Sequence, residues 1–285
     1  MSLNAPHYAS HDTLDRIISL TSAEIHLWLA DYNEITDSGL HADYRGLLDS
    51  AEKAQEPRFY FERDRRRYLV TRALVRTVLS RYARIDHGDW RFSTNAYGCP
   101  AVANAEAQDL SFNISHTHSL IVLGVSRGRV LGVDVENYRA RKVSIDIADR
   151  YFAPDEVAVL NAAPLQEQQY RFFEYWTFKE SYIKARGMGL SLPLDKFSFH
   201  YAHPKDVSIA IRPELSDDAG RWQFWQFQPA PEYLVAICAE RIGAQSPHLV
   251  VRQAVPLLGE RGCNPEFLKI SHRRGGAAND APKES

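Results

Sequence analysis

Residues 131–136 read Leu131-Gly132-Val133-Asp134-Val135-Glu136. On a strand, Val133 and Val135 share one face and Asp134 and Glu136 share the other. Carboxylates at i and i+2 repel each other unless water, a base or a cation lies between them. An edge strand with its acidic face in solvent meets that need. So does a Mg²⁺ site, which takes hard oxygen ligands, often one or two carboxylates together with substrate phosphates. Both readings stay open on this segment alone.

The pattern repeats outward from this strand. Upstream, Glu24-Ile25-His26-Leu27-Trp28-Leu29 alternates as a first strand. A polar stretch at 50–57 leads into an arginine-rich helix at about 64–82. Residues 90–102 hold Gly98 and Pro100 and predict a turn between short strands. Residues 111–114, 120–125 and 130–136 read as an antiparallel meander around Gly128. Downstream, Pro154-Asp155-Glu156 resembles a helix start, and 167–185 is a long helix stopped by Gly187. Strand-like alternation returns at 196–201, 207–211, 222–227 and 233–238. Strand, helix and strands therefore occur twice, which predicts an α+β fold of two related halves, 24–130 and 131–242. Residues 1–23 are expected to be a flexible leader. Residues 243–285 are expected to be a partly disordered extension, apolar in part to 270 and rich in Gly, Ala and charge from His272 onward.

Composition bounds the class. The 285 residues carry a formal net charge of −2, with 45% hydrophobic and 25% charged residues, ordinary for a globular protein. Nothing in that balance points to nucleic acid or a membrane surface. Cys99, Cys238 and Cys263 make no CxxC pair, which excludes a disulfide scaffold and a cysteine-based zinc module. No uncharged run approaches the roughly 18 apolar residues of a membrane span. A cytoplasmic protein is expected. The small total hides an asymmetry, since residues 58–84 contain nine arginines against only Glu62 and Asp64. Leu69, Val70, Ala73, Leu74 and Val78 interleave with them at helical spacing, so the block belongs to a packed helix, either a solvated basic face or an anion site.

Two further segments carry chemistry. In Trp176-Thr177-Phe178-Lys179-Glu180-Ser181-Tyr182-Ile183-Lys184, Glu180 and Lys184 stand one helical turn apart. By itself this is a surface ion pair worth a few tenths of a kcal/mol, about 0.3. Beside two strand carboxylates it becomes a third side for a metal, with an ammonium suited to a phosphate leaving group. In Phe112-Asn113-Ile114-Ser115-His116-Thr117-His118, the His-x-His pair lacks a third nitrogen or sulfur ligand at supporting spacing, which weakens zinc. Ser115 and His116 can donate to phosphate oxygens, or His116 can be a structural hydrogen-bonding residue.

Together these segments resemble the Sfp-type 4′-phosphopantetheinyl transferases. Arg91-Phe92-Ser93-Thr94, Tyr97-Gly98-Cys99-Pro100 and Gly189-Leu190-Ser191-Leu192-Pro193-Leu194-Asp195 support the match, which runs in order from Glu24 to about Arg241. The resemblance implies two similar α/β subdomains in a pseudo-two-fold arrangement with coenzyme A between them. It implies transfer of the phosphopantetheine arm of coenzyme A to a serine of apo acyl, aryl or peptidyl carrier proteins, with release of 3′,5′-ADP. By matching positions, Asp134, Glu136 and Glu180 would hold Mg²⁺. Glu180, directly or through a metal-held water, would take the serine proton. Lys184 would contact the phosphates and protonate the leaving group. Ser115 and His116 would bind the nucleotide side, and Arg67 would lie near the 3′-phosphate. A monomer is expected.

The sequence departs from the family at Cys99, where lysine is common between Gly and Pro, and in having only Lys53 near the family's upstream lysines. Two other readings are a different Mg²⁺-dependent phosphoryl transferase or hydrolase, and a non-catalytic carrier-binding relative. The intact Asp134, Glu136, Glu180 and Lys184 weigh against the last. For the carrier surface, the aromatic stretch 170–175 is one candidate, although core packing explains it more simply.

Overall fold

A computed structural model describes residues 16–272 except 141 and 244. The first half opens with β1 (Glu24–Asp31), followed by α1 (Ser38–Leu47), α2 (Ser50–Gln55) and α3 (Glu62–Leu79). A hairpin of β2 (Phe92–Thr94) and β3 (Pro100–Val102) precedes β4 (Leu110–His116) and β5 (Leu120–Arg127). The second half repeats this order. It consists of β6 (Leu131–Asn137), α4 (Asp146–Tyr151), α5 (Pro154–Ala162), α6 (Leu165–Arg186), the hairpin β7 (Phe197–His200) and β8 (Ser208–Ile211), then β9 (Trp222–Phe227) and β10 (Tyr233–Glu240). Three strands follow: β11 (His248–Val255), β12 (Gly259–Cys263) and β13 (Phe267–Ile270).

Two sheets result, ordered β12-β11-β1-β5-β4 and β13-β9-β10-β6. Each half thus contributes a three-stranded unit of the same connectivity, β1-β5-β4 and β6-β10-β9. Alternation sorts the side chains of each strand. Leu27, Leu29, Val122, Val133, Val135, Trp225, Val235 and Ile237 fill the space between the sheets, while the opposite faces meet the helices. Trp28, Ile121, Leu123 and Val125 pack on Val70, Ala73 and Leu74 of α3. Phe224, Leu234 and Ala236 pack on Phe173, Phe178 and Tyr182 of α6. Burying each Val, Leu, Ile or Phe contributes about 1.5–3 kcal/mol, so three continuous apolar layers dominate the stability.

Local signals set the helix ends. Glu62 and Asp64 occupy the first turn of α3 and complement its dipole. Helix α6 ends on Gly187 at φ 62°, a left-handed position that glycine adopts without a Cβ clash, with Lys184 and Arg186 in its last turn.

Two expectations need correction. Strand β6 does not continue the β4–β5 meander; it pairs antiparallel with β10 and forms the edge of the second sheet. The turn at Gly128 hands the chain from one sheet to the other. Nor is 248–270 an appendage. Strand β11 lies parallel to β1, and β13 pairs with β9, so the segment completes both sheets. Its apolar residues were visible in the sequence, but a parallel pairing partner more than 200 residues upstream was not. Part of the expected leader is packed as well, since Leu20 is buried. Residues 1–15 and 273–285 lie outside the described residues.

Candidate active site

Strand β6 turns Val133 and Val135 into the core between the sheets and Asp134 and Glu136 toward α6. Helix α6 lies unusually close to this strand at Gly132. A Cβ there would stand 2.0 Å from the Ser181 carbonyl oxygen and 2.4 Å from the Ala185 nitrogen, so backbone meets backbone only because residue 132 is glycine. That approach brings the Lys184 ammonium to 2.7 Å from Asp134 Oδ1.

Strand β4 of the other half completes the cluster. Ser115 Oγ donates to Asp134 Oδ1 at 2.9 Å, and Lys184 Nζ lies 2.7 Å from Ser115 Oγ. Asp134 is buried, and its Oδ2 has no hydrogen-bond partner. Glu136 Oε1 accepts from Trp176 Nε1 at 3.2 Å. Trp176 stacks on Phe172 and Phe152 with ring centroids 5.9 and 6.4 Å apart, which fixes its indole.

Glu180 stands one turn before Lys184. Burial, then the charge of Asp134, pushes its pKa up to about 7, against a smaller opposing effect of Lys184. His116, exposed at the mouth, is held below the ordinary imidazole value chiefly by desolvation against the wall, then by Arg67.

A cavity of about 700 Å³ spans the junction of the two halves, lined by Arg67, Ser115, His116, Asp134, Glu136 and Lys184. Five of the residues singled out in the sequence therefore gather on one wall around Asp134, and Arg67 faces them from α3. Glu180 adjoins this group through Asp134 and Lys184 rather than lining the cavity. Arg72 of the arginine block lines it too, and the sequence reading missed Phe59, Tyr68 and Thr71. Tyr68 and Thr71 fall within a turn or so of Arg67 on α3, a spacing that could have found them. It also missed Asp49 and Glu52, acids on the same wall.

Cys99 is not among the lining residues. It sits in the β2–β3 hairpin, where Asn95 Oδ1 accepts from the Cys99 amide and Asn95 Nδ2 donates to Gly187 O at 2.7 Å. The hairpin thereby docks on the end of α6.

Among the described residues no three His, Cys, Asp or Glu side chains are already gathered as a metal cluster. The donor set nevertheless fits a divalent cation. Asp134 has a buried, unpartnered carboxylate oxygen, Glu136 shares its strand face, and Asp134 raises the pKa of Glu180. A cation between these acids would offset both the burial and the Asp134 charge that raise the Glu180 pKa.

The stretch 170–175 is not a partner surface. Phe172, Phe173 and Tyr175 are buried in the core under α6.

Two comparisons with known proteins agree with this geometry. Residues 130–238 match the 4′-phosphopantetheinyl transferase superfamily, and residues 41–127 match the family described as 4′-phosphopantetheinyl transferase, N-terminal. Strands β11–β13 lie beyond both matches. The 4′-phosphopantetheinyl transferase Sfp of Bacillus subtilis is 37% identical over 67% of this chain and 81% of its own length. HetI of Nostoc sp., of the same description, is 31% identical over 80% of this chain and 92% of its own length. A phosphopantetheinyl transferase of Thraustochytrium sp. is 31% identical over 69% of this chain and 72% of its own length.

Proposed function

The chain belongs to the 4′-phosphopantetheinyl transferase superfamily, and from that premise we propose that it moves the phosphopantetheine arm of coenzyme A onto a serine of an apo carrier protein. The observation that carries this reading is the junction cluster, where Ser115 of one half and Asp134 and Lys184 of the other meet within 2.9 Å on a cavity wall.

The reaction forms a bond from the serine oxygen to the β-phosphorus of coenzyme A and breaks the bond from that phosphorus to the bridging oxygen. 3′,5′-ADP leaves. Positioning and electrostatics supply most of such a rate. Glu180, directly or through a metal-held water, would take the serine proton; a bound Mg²⁺ would lower its pKa from the value of about 7 set by burial and Asp134. Lys184 faces the departing phosphate and can neutralise or protonate it. Ser115, His116 and Arg67 offer donors to the nucleotide side. Asp134, Glu136 and Glu180 would hold Mg²⁺, which supplies charge neutralisation to the pyrophosphate.

The carrier is expected beside this cluster. The segment leaving β6 exposes Arg139, Lys142 and Arg150 together with Ile147 and Tyr151. Three basic and two apolar groups against the exposed Asp146 and Asp149 leave this segment suited to an acidic carrier helix. The enzyme is read as a cytoplasmic monomer, and no described helix is long and apolar enough to cross a membrane.

Incubation with coenzyme A, Mg²⁺ and an apo carrier should add the mass of phosphopantetheine to the carrier. Several carriers left unmodified, with coenzyme A consumed in their absence, would favour a hydrolase instead.

A further inference from the structure

The two sheets meet at the active site without a backbone ladder. Strands β4 and β6 are neighbouring edges, yet they belong to different sheets. Their junction is made by side chains of β4 and the turn after it reaching the backbone and acid of β6. Asn113 Oδ1 accepts from the Val133 amide at 2.9 Å. Ser115 Oγ donates to Asp134 at 2.9 Å. Thr117 Oγ1 accepts from the Asn137 amide at 3.2 Å. Residues 113, 115 and 117 are spaced by two, so a single face of one chain segment makes all three bonds.

We infer that Asn113 and Thr117 are positioning residues for transfer. They bond to amides on either side of the Asp134–Glu136 segment. They thereby fix the register of the acids from the second half against Ser115 and His116 of the first. This inference rests on the transferase reading, because coenzyme A must touch both halves at once. Neither residue needs to touch substrate. Asn113 is buried, and both act through the position of β6.

The consequence is a split in the kinetics. A junction that loses one anchor lets the nucleotide-binding side drift relative to the acids. The affinity for coenzyme A and the rate of transfer should suffer most, and the proposed carrier segment, which leaves β6 just past Asn137, should suffer less because all of it stays on the second half.

Thr117→Val removes the acceptor at nearly constant shape, and Thr117→Ser keeps it. The test uses the full chain with Mg²⁺ and an apo carrier. It measures kcat, KM for each substrate, coenzyme A binding by calorimetry and the thermal midpoint. Thr117→Val should weaken coenzyme A binding and lower kcat by about three-fold each, a combined effect of about ten-fold that matches one net hydrogen bond. KM for the carrier should change by less than either, and Thr117→Ser should recover to within about two-fold. Equal behaviour of wild type and Thr117→Val would overturn the inference while leaving the transferase reading intact. So would a loss shared equally by both KM values and tracking the thermal midpoint. A wild-type chain that modifies no carrier would instead overturn the reading beneath it.

Discussion

The two halves bury the same latch and use it differently. In the first, Arg76 of α3 is fully buried and its Nη2 lies 2.6 Å from Glu52, whose carboxylate also accepts from the Asp49 amide that caps α2. In the second, Lys179 of α6 is fully buried 2.7 Å from Glu156, which accepts from the Ala153 amide that caps α5. Each cation continues to the following hairpin. Arg76 donates to Trp90 O and lies 5.4 Å from the Phe92 ring, while Lys179 donates to Phe197 O and lies 4.4 Å from the Phe197 ring.

From these anchors the equivalent positions can be counted. Thr77 matches Glu180, and Arg81 matches Lys184. Asp31 pairs with Leu120 as Asn137 pairs with Tyr233, so Trp28 matches Asp134 and His26 matches Gly132. A second cleft of about 460 Å³ lies at the matching place, lined by Trp28, Thr77, Arg81 and Glu260. There Arg81 finds its carboxylate on β12 rather than on its own half's first strand. The latch therefore belongs to the fold. The proposed acids and the lysine, Asp134, Glu136, Glu180 and Lys184, are matched by no acid or lysine at the corresponding positions of the first half, which contributes Arg67, Ser115 and His116 to the same cleft instead.

The sharpest test of that division is Glu180→Gln against Thr77→Val. The first should lower transfer by on the order of 10²–10⁴-fold with the fold intact, as for loss of a general base, whereas the second should leave kcat near wild type. Transfer by Glu180→Gln at the wild-type rate would erase the distinction. Next, Lys179→Met should cost about 3–5 kcal/mol in urea unfolding, because it strands the buried Glu156, and Arg76→Met should cost as much by removing the buried guanidinium from Glu52 and Trp90 O, although Arg72 stays 3.6 Å from Glu52. A large inequality would break the equivalence. Gly132→Ala must push α6 away from β6. It should cost about 1–3 kcal/mol or more and reduce transfer beyond what the lost stability explains, read as specific activity of the folded fraction.

The smallest effect should come from His26, in the place of Gly132. Tyr82 Oη accepts from Trp28 Nε1 and lies 2.8 Å from His26 Nδ1, in hydrogen-bond contact. Burial first, then Arg252, pushes its pKa down to about 4, below the unfolded value of 6.5. A depressed imidazole pKa means the unfolded chain takes up the proton first, so its contribution is present above 6.5 and is lost as pH falls toward 4. The loss between pH 6.5 and pH 5 should be about 1–2 kcal/mol. Urea melts at the two pH values should show this difference in wild type, and His26→Phe should flatten it.

Much of the second half was legible because its signals are local. The alternation of Val133-Asp134-Val135-Glu136 and the turn from Glu180 to Lys184 set which side chains share a face before any tertiary contact forms. Gly187 marked the helix end for the same reason. What could not be read depends on contacts distant in sequence. That β6 leaves the β4–β5 sheet is decided by β10, about 100 residues on. The parallel pairing of β11 with β1 has no local mark. The latch was equally hidden, since Lys179 looks like one more charge in an amphipathic helix until Glu156 is found beneath it. Core packing, the simpler reading of the aromatic run at 170–175, is what the buried Phe172, Phe173 and Tyr175 show.

Strands β11 and β13 have one more consequence. Duplication of a β1-β5-β4 unit creates two equivalent junctions, one inside the chain where β4 meets β6 and one facing outward at β9 and β1. Left bare, the outward edges would accept another copy head to tail, and that contact has no rotation that must close it, so chains of copies would grow. By laying β11 on β1 and β13 on β9, the C-terminal segment occupies both outward edges with its own backbone. The final strands thus move the outward edges of the duplicated unit from β1 and β9 to the short strands β12 and β13.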